Sequence, residues 1–379
     1  MTIDDSRTPH GGTPITFDPY TQLAHHLHAL GMGYPLEDDL VDILRANFSP
    51  AEAEVALAVP NTRIPLELAT ADEVAANLGR PVEEVADILE ELARRGLLFS
   101  GTTDDGQPGY ALQQVGYGFP QSFFWKGERT PHAKDMAGRM VRYFRSREIR
   151  ETYGATPTKA YRYIPVKEAV EGPFQAVYPY EVMEAVIRRA RTIAVAHCPC
   201  RVTAQLLGKA TCDHPLEVCL KYDELAEYLI EWGMARPVDA DEALDIIRLA
   251  EESGLVHMVD NSQDSIKHTC NCCEHACWNV GPIARRRLAR DDIMATYFLR
   301  TTDEGACMGC GDCIEACPVD ALVMGDEFPI VDEAVCIGCG LCAIPCPNDA
   351  VRLKRRADVA PPATFAELHG RILEEKAVT

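Results

Sequence analysis

Two stretches near the end of the chain, 307-CMGCGDCIEACP-318 and 336-CIGCGLCAIPCP-347, carry the same arrangement of cysteines. Each reads C-x2-C-x2-C-x3-C-P, and each cysteine of the second stretch lies 29 residues after its counterpart in the first. A constant offset at all four positions indicates that one unit has been duplicated. The fold of this region therefore depends on what these cysteines bind.

The spacing within each stretch favours an iron–sulfur cluster. Tight C-x2-C loops let three thiolates converge on one side of a [4Fe–4S] cube, and the glycines between them permit the required backbone conformations. The fourth cysteine lies too far round to join the other three, so we expect it to reach the second cube. The two expected ligand sets are Cys307, Cys310, Cys313 and Cys346 for cluster 1, and Cys336, Cys339, Cys342 and Cys317 for cluster 2. Zinc fits less well, because structural zinc sites usually use two separated cysteine pairs.

With all eight cysteines in place, this region resembles the bacterial two-cluster ferredoxin family. The resemblance implies two [4Fe–4S] clusters and one-electron transfer at low potential. From Asp303 to Ala350 the chain has ten acidic residues and neither Lys nor Arg. Exposed carboxylates disfavour added electrons and steer the region toward basic patches on other proteins. We therefore expect redox partner proteins with a basic docking face.

Composition limits the remaining options. With 379 residues the chain is long enough for two or three domains, and its hydrophobic content of 47% is that of a globular protein. The sequence has no signal-peptide pattern and no apolar run approaching about 18 residues, so we expect a cytoplasmic protein without a membrane span. In that compartment the 16 cysteines would serve as metal ligands rather than disulfides. The net charge of −21 argues against generic affinity for nucleic acids.

The sequence predicts an α+β, multidomain fold. From the N-terminus we expect a winged-helix-like module, a basic helical linker, a mixed α/β cysteine-rich iron–sulfur domain and a two-cluster ferredoxin fold, between a flexible tail and a C-terminal helix. The expected boundaries are 1–19 for the tail, 20–115 for the module, 116–180 for the linker, 181–300 for the cysteine-rich domain, 301–356 for the ferredoxin domain and 357–379 for the C-terminal helix and tail.

The order helix, turn, helix, hairpin in residues 20–115 resembles the winged-helix superfamily. In "TADEVAANLG", Thr70 is a suitable N-cap and Gly79 a suitable stop signal. The next helix, which would read DNA, carries five acids and two arginines between Pro81 and Arg95. A helix that faces phosphates should be basic. We therefore interpret the module as a docking element and expect no DNA binding.

A second set of cysteines lies in 197-HCPCRVTAQLLGKATCDHPLEVC-219. The preceding "RTIAVA" is typical of a strand that presents the Cys-x-Cys pair at its end, and extended backbone points such a pair to one side. These four cysteines, Cys198, Cys200, Cys212 and Cys219, favour a third [4Fe–4S] cluster. Zinc bound by four cysteines is the rival interpretation. His197 and His214 could substitute as ligands, but a histidine beside a ligating cysteine more often supports it from outside.

The last four cysteines are crowded into 270-CNCCEHAC-277. Three interpretations stay open for Cys270, Cys272, Cys273 and Cys277: a fourth cluster, a contribution to the Cys198–Cys219 cluster, or reactive thiols. Successive side chains diverge, so Cys272 and Cys273 cannot easily bind one cube together. The four arginines that follow, Arg285, Arg286, Arg287 and Arg290, would compensate the negative charge of a thiolate–iron centre or serve in docking.

From about residue 162 onward the chain also resembles a group of ferredoxin-like proteins of anaerobic microbes. In these proteins a CxCR segment, a CNCC motif and a dicluster ferredoxin follow one another, often after a winged-helix-like region. The resemblance implies an electron carrier or an electron-transfer subunit of an anaerobic oxidoreductase system. It does not identify any catalytic residue. Two alternatives stay open: a redox-sensing regulator that uses the winged helix, and a reductase acting at Cys270–Cys277.

Overall fold

The computed structural model describes residues 18–119, 121–144, 146–166, 169, 182–356 and 360–378. The α-helices are α1 Pro19–His28, α2 Asp38–Asn47, α3 Pro50–Ala58, α4 Ala71–Leu78, α5 Val82–Arg94, α6 Pro131–Tyr143, α7 Ser146–Tyr153, α8 Met183–Arg189, α9 Pro199–Leu206, α10 Asp223–Glu231, α11 Ala240–Glu252, α12 Val280–Ala284, α13 Arg290–Ile293, α14 Asp312–Glu315 and α15 Phe365–Val378. The predicted tail lies outside the described residues except for Asp18 and Pro19, the second of which begins α1.

The β-strands belong to four sheets. They are β1 Ala69–Thr70, β2 Leu98–Thr102, β3 Pro108–Leu112, β4 Tyr161–Ile164, β5 Ile193–His197, β6 Glu217–Tyr222, β7 Arg236–Pro237, β8 Val256–Asp260, β9 His268–Cys272, β10 Phe298–Thr302, β11 Leu322–Met324, β12 Pro329–Val331 and β13 Val351–Arg355. Helices and antiparallel sheets thus occur side by side, which confirms the α+β class.

The N-terminal region combines α1 to α5 with a three-stranded antiparallel sheet of order β1-β3-β2. At the start of α4 the Thr70 hydroxyl accepts a hydrogen bond from the Glu73 amide at 3.3 Å. At its end Gly79 adopts a φ of 67°, which a residue with a side chain rarely adopts. Both ends of this helix are where the sequence predicts them.

A six-stranded sheet of order β4-β8-β9-β6-β5-β7 forms the middle of the molecule. Side chains alternate between the two faces of a sheet. One face carries aliphatic residues such as Ile164, Val195 and Leu220, which form a core with residues of α8 and α11. The opposite face carries Tyr163, Met258, Ala196 and three cysteines, which are Cys219, Cys270 and Cys272. It packs against aromatic residues from the segment before β4. The cysteine-bearing face is therefore buried inside the protein.

The C-terminal region contains two antiparallel strand pairs, β10 with β13 and β11 with β12. The duplicated cysteine stretches lie between these strands. After them, α15 returns to the N-terminal region, where Lys376 Nζ donates hydrogen bonds to the carbonyl oxygens of His28 and Leu30 at 2.6 and 2.5 Å. Among the described residues no helix is both long and apolar enough to cross a membrane.

A fully buried carboxylate, Asp260, connects the sheet to its surroundings. Its oxygens accept hydrogen bonds from the Tyr117 hydroxyl at 2.8 Å and the Lys267 amide at 2.6 Å. His268 Nδ1 lies 3.1 Å from Asp260 Oδ1. Burial lowers the pKa of His268, but the charge of Asp260 and its hydrogen bonding outweigh burial and raise the pKa to about 9. The pair is therefore a buried ion pair at neutral pH.

Replacing Asp260 by Asn would leave the charged His268 without its counter-ion in the core. We expect a loss of about 3–5 kcal/mol of stability, because removing one partner of a buried ion pair strands the other charge. Thermal unfolding of anaerobically prepared protein measures this as a midpoint several degrees lower. Asp245→Asn on α11, where the carboxylate is exposed, is the control and should change stability by less than about 0.5 kcal/mol. Equal midpoints for the two variants would contradict the expectation.

Candidate iron–sulfur sites

The duplicated stretches fold around two neighbouring cavities. The first is lined by Cys307, Cys310, Cys313 and Cys346. The second is lined by Cys317, Cys336, Cys339 and Cys342. The fourth cysteine of each stretch thus lies with the first three of the other, which is the grouping that the spacing predicts. Ligation itself stays a prediction, but four converging thiols are the donor set that a [4Fe–4S] cluster requires.

The backbone turns around the two cavities have similar conformations, in keeping with the duplicated sequence. Gly309 and Gly311 have φ values of 70° and 90°, and Gly338 and Gly340 have 67° and 76°. These values are in the left-handed region that favours glycine. At Gly338 an added Cβ would lie 2.2 Å from the carbonyl oxygen of Phe298, so a side chain there would displace β10. The glycines are needed for the cysteine loops to close.

Backbone amides also repeat their contacts with the fourth cysteine of each stretch. The Ala321 amide donates to Cys317 Sγ and the Ala350 amide donates to Cys346 Sγ, each at 3.2 Å. Hydrogen bonds to sulfur stabilise negative charge and are one of the factors that set the potential of a cluster. The two sites therefore share this local electrostatic feature.

One arginine, Arg300, lines both cavities. Its side chain is buried, and Nη2 lies 3.8 Å from Cys313 Sγ. Nη1 donates a hydrogen bond to the carbonyl oxygen of Pro329 at 3.3 Å, which holds the guanidinium in place. It is a fixed positive charge beside both groups of thiols, and residues 303–350 that form them contain no Lys or Arg of their own.

A third cavity, of about 50 Å³, lies on the buried face of the six-stranded sheet. A buried water needs only about 10–15 Å³, so the space exceeds that of a packing defect. Seven cysteines line it. The thiols of six of them influence one another's pKa in the order Cys198, Cys200, Cys277, Cys272, Cys270 and Cys219, a series that we call the six-thiol chain. The structure thus brings together thiols from both cysteine-rich stretches of the middle domain.

The pKa values of these six thiols are shifted by their thiol neighbours. Hydrogen bonds from neighbouring thiols lower the pKa of Cys198, Cys270 and Cys277. Donating those hydrogen bonds raises the pKa of the other three, Cys200, Cys219 and Cys272. Six adjacent thiolates would repel one another, so full deprotonation requires cations among them. The iron of a cluster is a cation of the kind that such a donor set accepts.

Strand register explains why these cysteines meet. Cys270 and Cys272 are two residues apart on β9 and therefore project from the same face. On β6 and β9, Leu220 pairs with Thr269 and Lys221 with His268, so Cys219 is opposite Cys270 in the same register. The strand predicted before the Cys-x-Cys pair is confirmed as β5. Cys200, however, lies in a helix rather than in extended backbone, because Pro199 begins α9 directly after Cys198.

Basic side chains surround the third cavity. Arg201, Lys221 and His268 line it, and each is at least 98% buried. Arg201 Nη1 donates to the carbonyl oxygen of Asn271 at 3.1 Å, whereas its Nε and Nη2 have no hydrogen-bond partner among the described residues. Lys221 Nζ lies 4.9 Å from the ring centre of Trp125. Buried cations around thiols fit an anionic metal–thiolate group.

Two cysteines fall outside the six-thiol chain. Cys212 does not line the third cavity, and Cys273 lines it without belonging to the six-thiol chain. Their sulfur atoms lie 4.0 Å apart. The structure therefore groups the eight middle-domain cysteines as six and two. Of the three interpretations left open for Cys270–Cys277, this grouping favours a contribution to the Cys198–Cys219 site, and ligation stays a prediction. As the sequence predicts, the neighbours Cys272 and Cys273 diverge.

The third cavity is linked to the C-terminal pair of cavities through β4. Tyr163 is buried, and burial together with the charges of Cys277, Cys272 and Cys339 raises the pKa of its hydroxyl. Its hydroxyl is therefore within electrostatic reach of thiols of both sites. The Val166 amide donates to the carbonyl oxygen of Cys339 at 2.9 Å, which holds the end of this segment against the second cavity.

The arginine run also joins the two regions. Arg286 Nη1 donates to the carbonyl oxygen of Val319 at 2.8 Å. Arg290, which is buried, donates to the carbonyl oxygen of Cys336 at 2.9 Å. These arginines bind the backbone of the C-terminal region, so they act in docking within the chain and bring positive charge to the second cavity.

Sequence reasoning did not single out Arg300, Tyr163, Lys221 or His275. The last could have been found, because Cys273 and His275 repeat the C-x-H spacing of Cys212 and His214. Arg300 and Lys221 had no comparable signal, since each comes close to thiols only through strand pairing.

Residues 300–353 match the family model of a 4Fe-4S dicluster domain. The match confirms the resemblance of this region to two-cluster ferredoxins, and it makes the C-terminal region a ferredoxin-like iron–sulfur domain. The chain matches none of the curated proteins and none of the solved structures. The matched segment is a small part of the chain.

Replacing Arg300 by Met should lower the reduction potentials of both C-terminal clusters. Reduction adds negative charge, which the buried guanidinium stabilises, and about 1–2 kcal/mol of lost interaction corresponds to roughly 50–100 mV for one electron. Redox titration followed by electron paramagnetic resonance measures the shift. Arg300→Lys keeps the charge, so the reduction potentials should fall by less. Arg371→Met on α15, where the arginine is paired with Glu367 at the surface, should leave the potentials unchanged. Unchanged potentials in Arg300→Met would contradict the role of this charge.

Proposed function

We propose that the protein is an iron–sulfur electron-transfer protein, or the electron-transfer subunit of an oxidoreductase system. The observation that carries this proposal is the pair of cavities in residues 300–353, each lined by four cysteines in the exchanged grouping. Bound [4Fe–4S] clusters would supply one-electron transfer at these two positions. The residues of the chain provide the thiolates, the amide hydrogen bonds and the charge of Arg300. The domain boundaries given by the sequence, including a ferredoxin fold for 301–356, are part of the proposal.

The third cavity supports a further [4Fe–4S] site in the middle domain. Six thiols, buried cations and sufficient space are together on one face of the sheet, and four thiolates complete a cubic cluster. Tyr163 and the β4 segment connect this site with the second C-terminal cavity. We infer that the three groups of thiols form one series for electron transfer.

The outer end of this series lies at the surface beside the first cavity. Cys310 is exposed, and the neighbouring side chains Met308, Val323, Met324 and Ile330 are 47–65% exposed. Acidic residues including Asp326 and Glu327 surround this apolar patch. Aromatic and aliphatic contacts with a charged rim are typical of interaction sites. We infer that a redox partner with a basic rim docks here.

The N-terminal region serves as a docking module in this proposal. Its order β1, α4, α5, β2, β3 and its antiparallel hairpin support a winged-helix fold. The outward side of α5 presents Glu83, Glu84, Asp87 and Glu90, all exposed. This acidic surface would repel phosphates, so the proposal includes no DNA binding.

A second candidate function is a reductase acting at the third cavity. The specific observation is the number of thiols, because a single cubic cluster uses four and the six-thiol chain has six. Two remaining thiols next to buried cations could bind or reduce a small anionic substrate. Turnover of such a substrate by reduced protein alone would favour this candidate over a carrier.

Anaerobically prepared protein should contain about twelve irons and twelve acid-labile sulfides per chain, four for each of three clusters. Replacing Cys219, Cys270 and Cys272 together by Ser should remove about four irons, because only three thiols of the six-thiol chain would remain and a cubic cluster needs four. Replacing Cys212 by Ser should remove none. Equal iron loss in both variants would favour the grouping suggested by the sequence, and about eight irons in the unaltered protein would contradict a third cluster.

Electron transfer from the reduced protein to a basic c-type cytochrome should slow several-fold as salt rises from low ionic strength to about 0.3 M, because screening weakens the attraction of the acidic surface. Stopped-flow absorbance measures the rate. Asp326→Asn with Glu327→Gln should also slow the reaction. The matched control, Asp241→Asn with Asp245→Asn on α11, removes two exposed carboxylates outside both proposed docking surfaces and should leave the rate unchanged. Equal rates for the two double variants would place docking elsewhere.

A further inference from the structure

Two short segments of the middle domain carry the same pattern, Cys-acid-His. The first is Cys212-Asp213-His214, in the loop between α9 and β6, and the second is Cys273-Glu274-His275, directly after β9. The segments are 61 residues apart in sequence, yet the fold brings them together. The Cys212 and Cys273 sulfurs lie 4.0 Å apart, and the rings of His214 and His275 have their centres 5.8 Å apart.

The four side chains converge on one point. One ligand atom from each of Cys212, His214, Cys273 and His275 lies within 4.8 Å of all the others. In a tetrahedral zinc site with Zn–S bonds of about 2.3 Å, two sulfurs are about 3.8 Å apart. The observed separation of the two sulfurs is therefore close to what one zinc ion requires without rearrangement of the backbone.

The arrangement favours one metal ion over a two-iron centre. In a [2Fe–2S] centre with mixed ligands, the two cysteines bind one iron and the two histidines bind the other. The two pairs would then lie on opposite sides of a two-metal core, further apart than a single ion allows. Here all four atoms share one small volume. Two thiolates and two neutral imidazoles also balance the charge of a divalent ion.

The site is accessible and supported. Cys273 is buried, Cys212 and His214 are half-buried, and His275 is exposed, which leaves a route for a metal ion. The Ala276 amide donates to Cys273 Sγ at 3.5 Å. Hydrogen bonds of this kind fix the orientation of a ligand and are common around protein metal sites.

We propose that Cys212, His214, Cys273 and His275 bind one zinc ion in a tetrahedral site with two sulfur and two nitrogen ligands. The site is distinct from the six-thiol chain. Its four ligands come from the two segments that also carry Cys200, Cys219, Cys272 and Cys277. The zinc ion thus fastens together the two stretches that supply thiols to the third cavity, and its role is structural, since all four positions are filled by protein.

Metal analysis of the full-length, anaerobically purified protein tests this directly. We expect one zinc per chain after growth with zinc. X-ray absorption at the zinc edge should give two sulfurs at about 2.3 Å and two nitrogens at about 2.0–2.1 Å. Absence of zinc, or zinc surrounded by four sulfurs or by oxygens, would overturn the proposal without any variant being made.

Variants provide the second test. Replacing His214 and His275 together by Ala should abolish stoichiometric zinc and leave the iron content unchanged, whereas His275→Cys should retain zinc, because cysteine is also a zinc ligand. The control replaces two exposed histidines outside the site, His25 and His132, by Ala, and should keep one zinc. Zinc retained by the His214/His275 double variant would overturn the site. A loss of about two irons in that variant would overturn it as well, because it would identify a two-iron centre with mixed ligands.

Discussion

The alternation of side chains along β9 decides which cysteines of the middle domain can act together. Cys270 and Cys272 project from one face of the strand toward Cys219 on the neighbouring strand. Cys273 follows the strand and turns toward Cys212. A period of two residues therefore separates adjacent thiols into two sites with different ligands. A shift of the strand register by one residue would turn each of these cysteines to the opposite face of the sheet, so neither group of thiols would form.

Buried charge is the second constraint on this architecture. Thiolates in a protein interior are costly unless opposite charge is near. The chain supplies that charge from residues fixed by other contacts: Arg201 is held by the Asn271 carbonyl, His268 by Asp260, and Arg300 by the Pro329 carbonyl. Each cation is therefore held in place by contacts with the protein itself. The acidic residues of the C-terminal region remain at its surface, where water screens them.

The C-terminal sites were predictable because their information is local. The loops need only a short run of residues, and the position of the fourth cysteine within each run indicated the exchange of Cys317 and Cys346. The ends of α4 were predictable for the same reason, since Thr70 and Gly79 act within one turn of the helix. The grouping of the middle-domain cysteines could not be predicted in this way. It depends on the pairing of β6 with β9, which are about fifty residues apart in sequence. The spacing of cysteines within one segment does not indicate that pairing.

The two C-terminal sites differ in their distance from solvent. Cys310 of the first is exposed, whereas Cys336 and Cys339 of the second are more than 90% buried. Oxidation of cysteine sulfur follows accessibility. Dissolved oxygen or peroxide would therefore attack the outer set first, and the inner sets would outlast it. Damage to this protein would proceed from the surface inward, so that an aged preparation loses its contact with other molecules before it loses its internal redox centres.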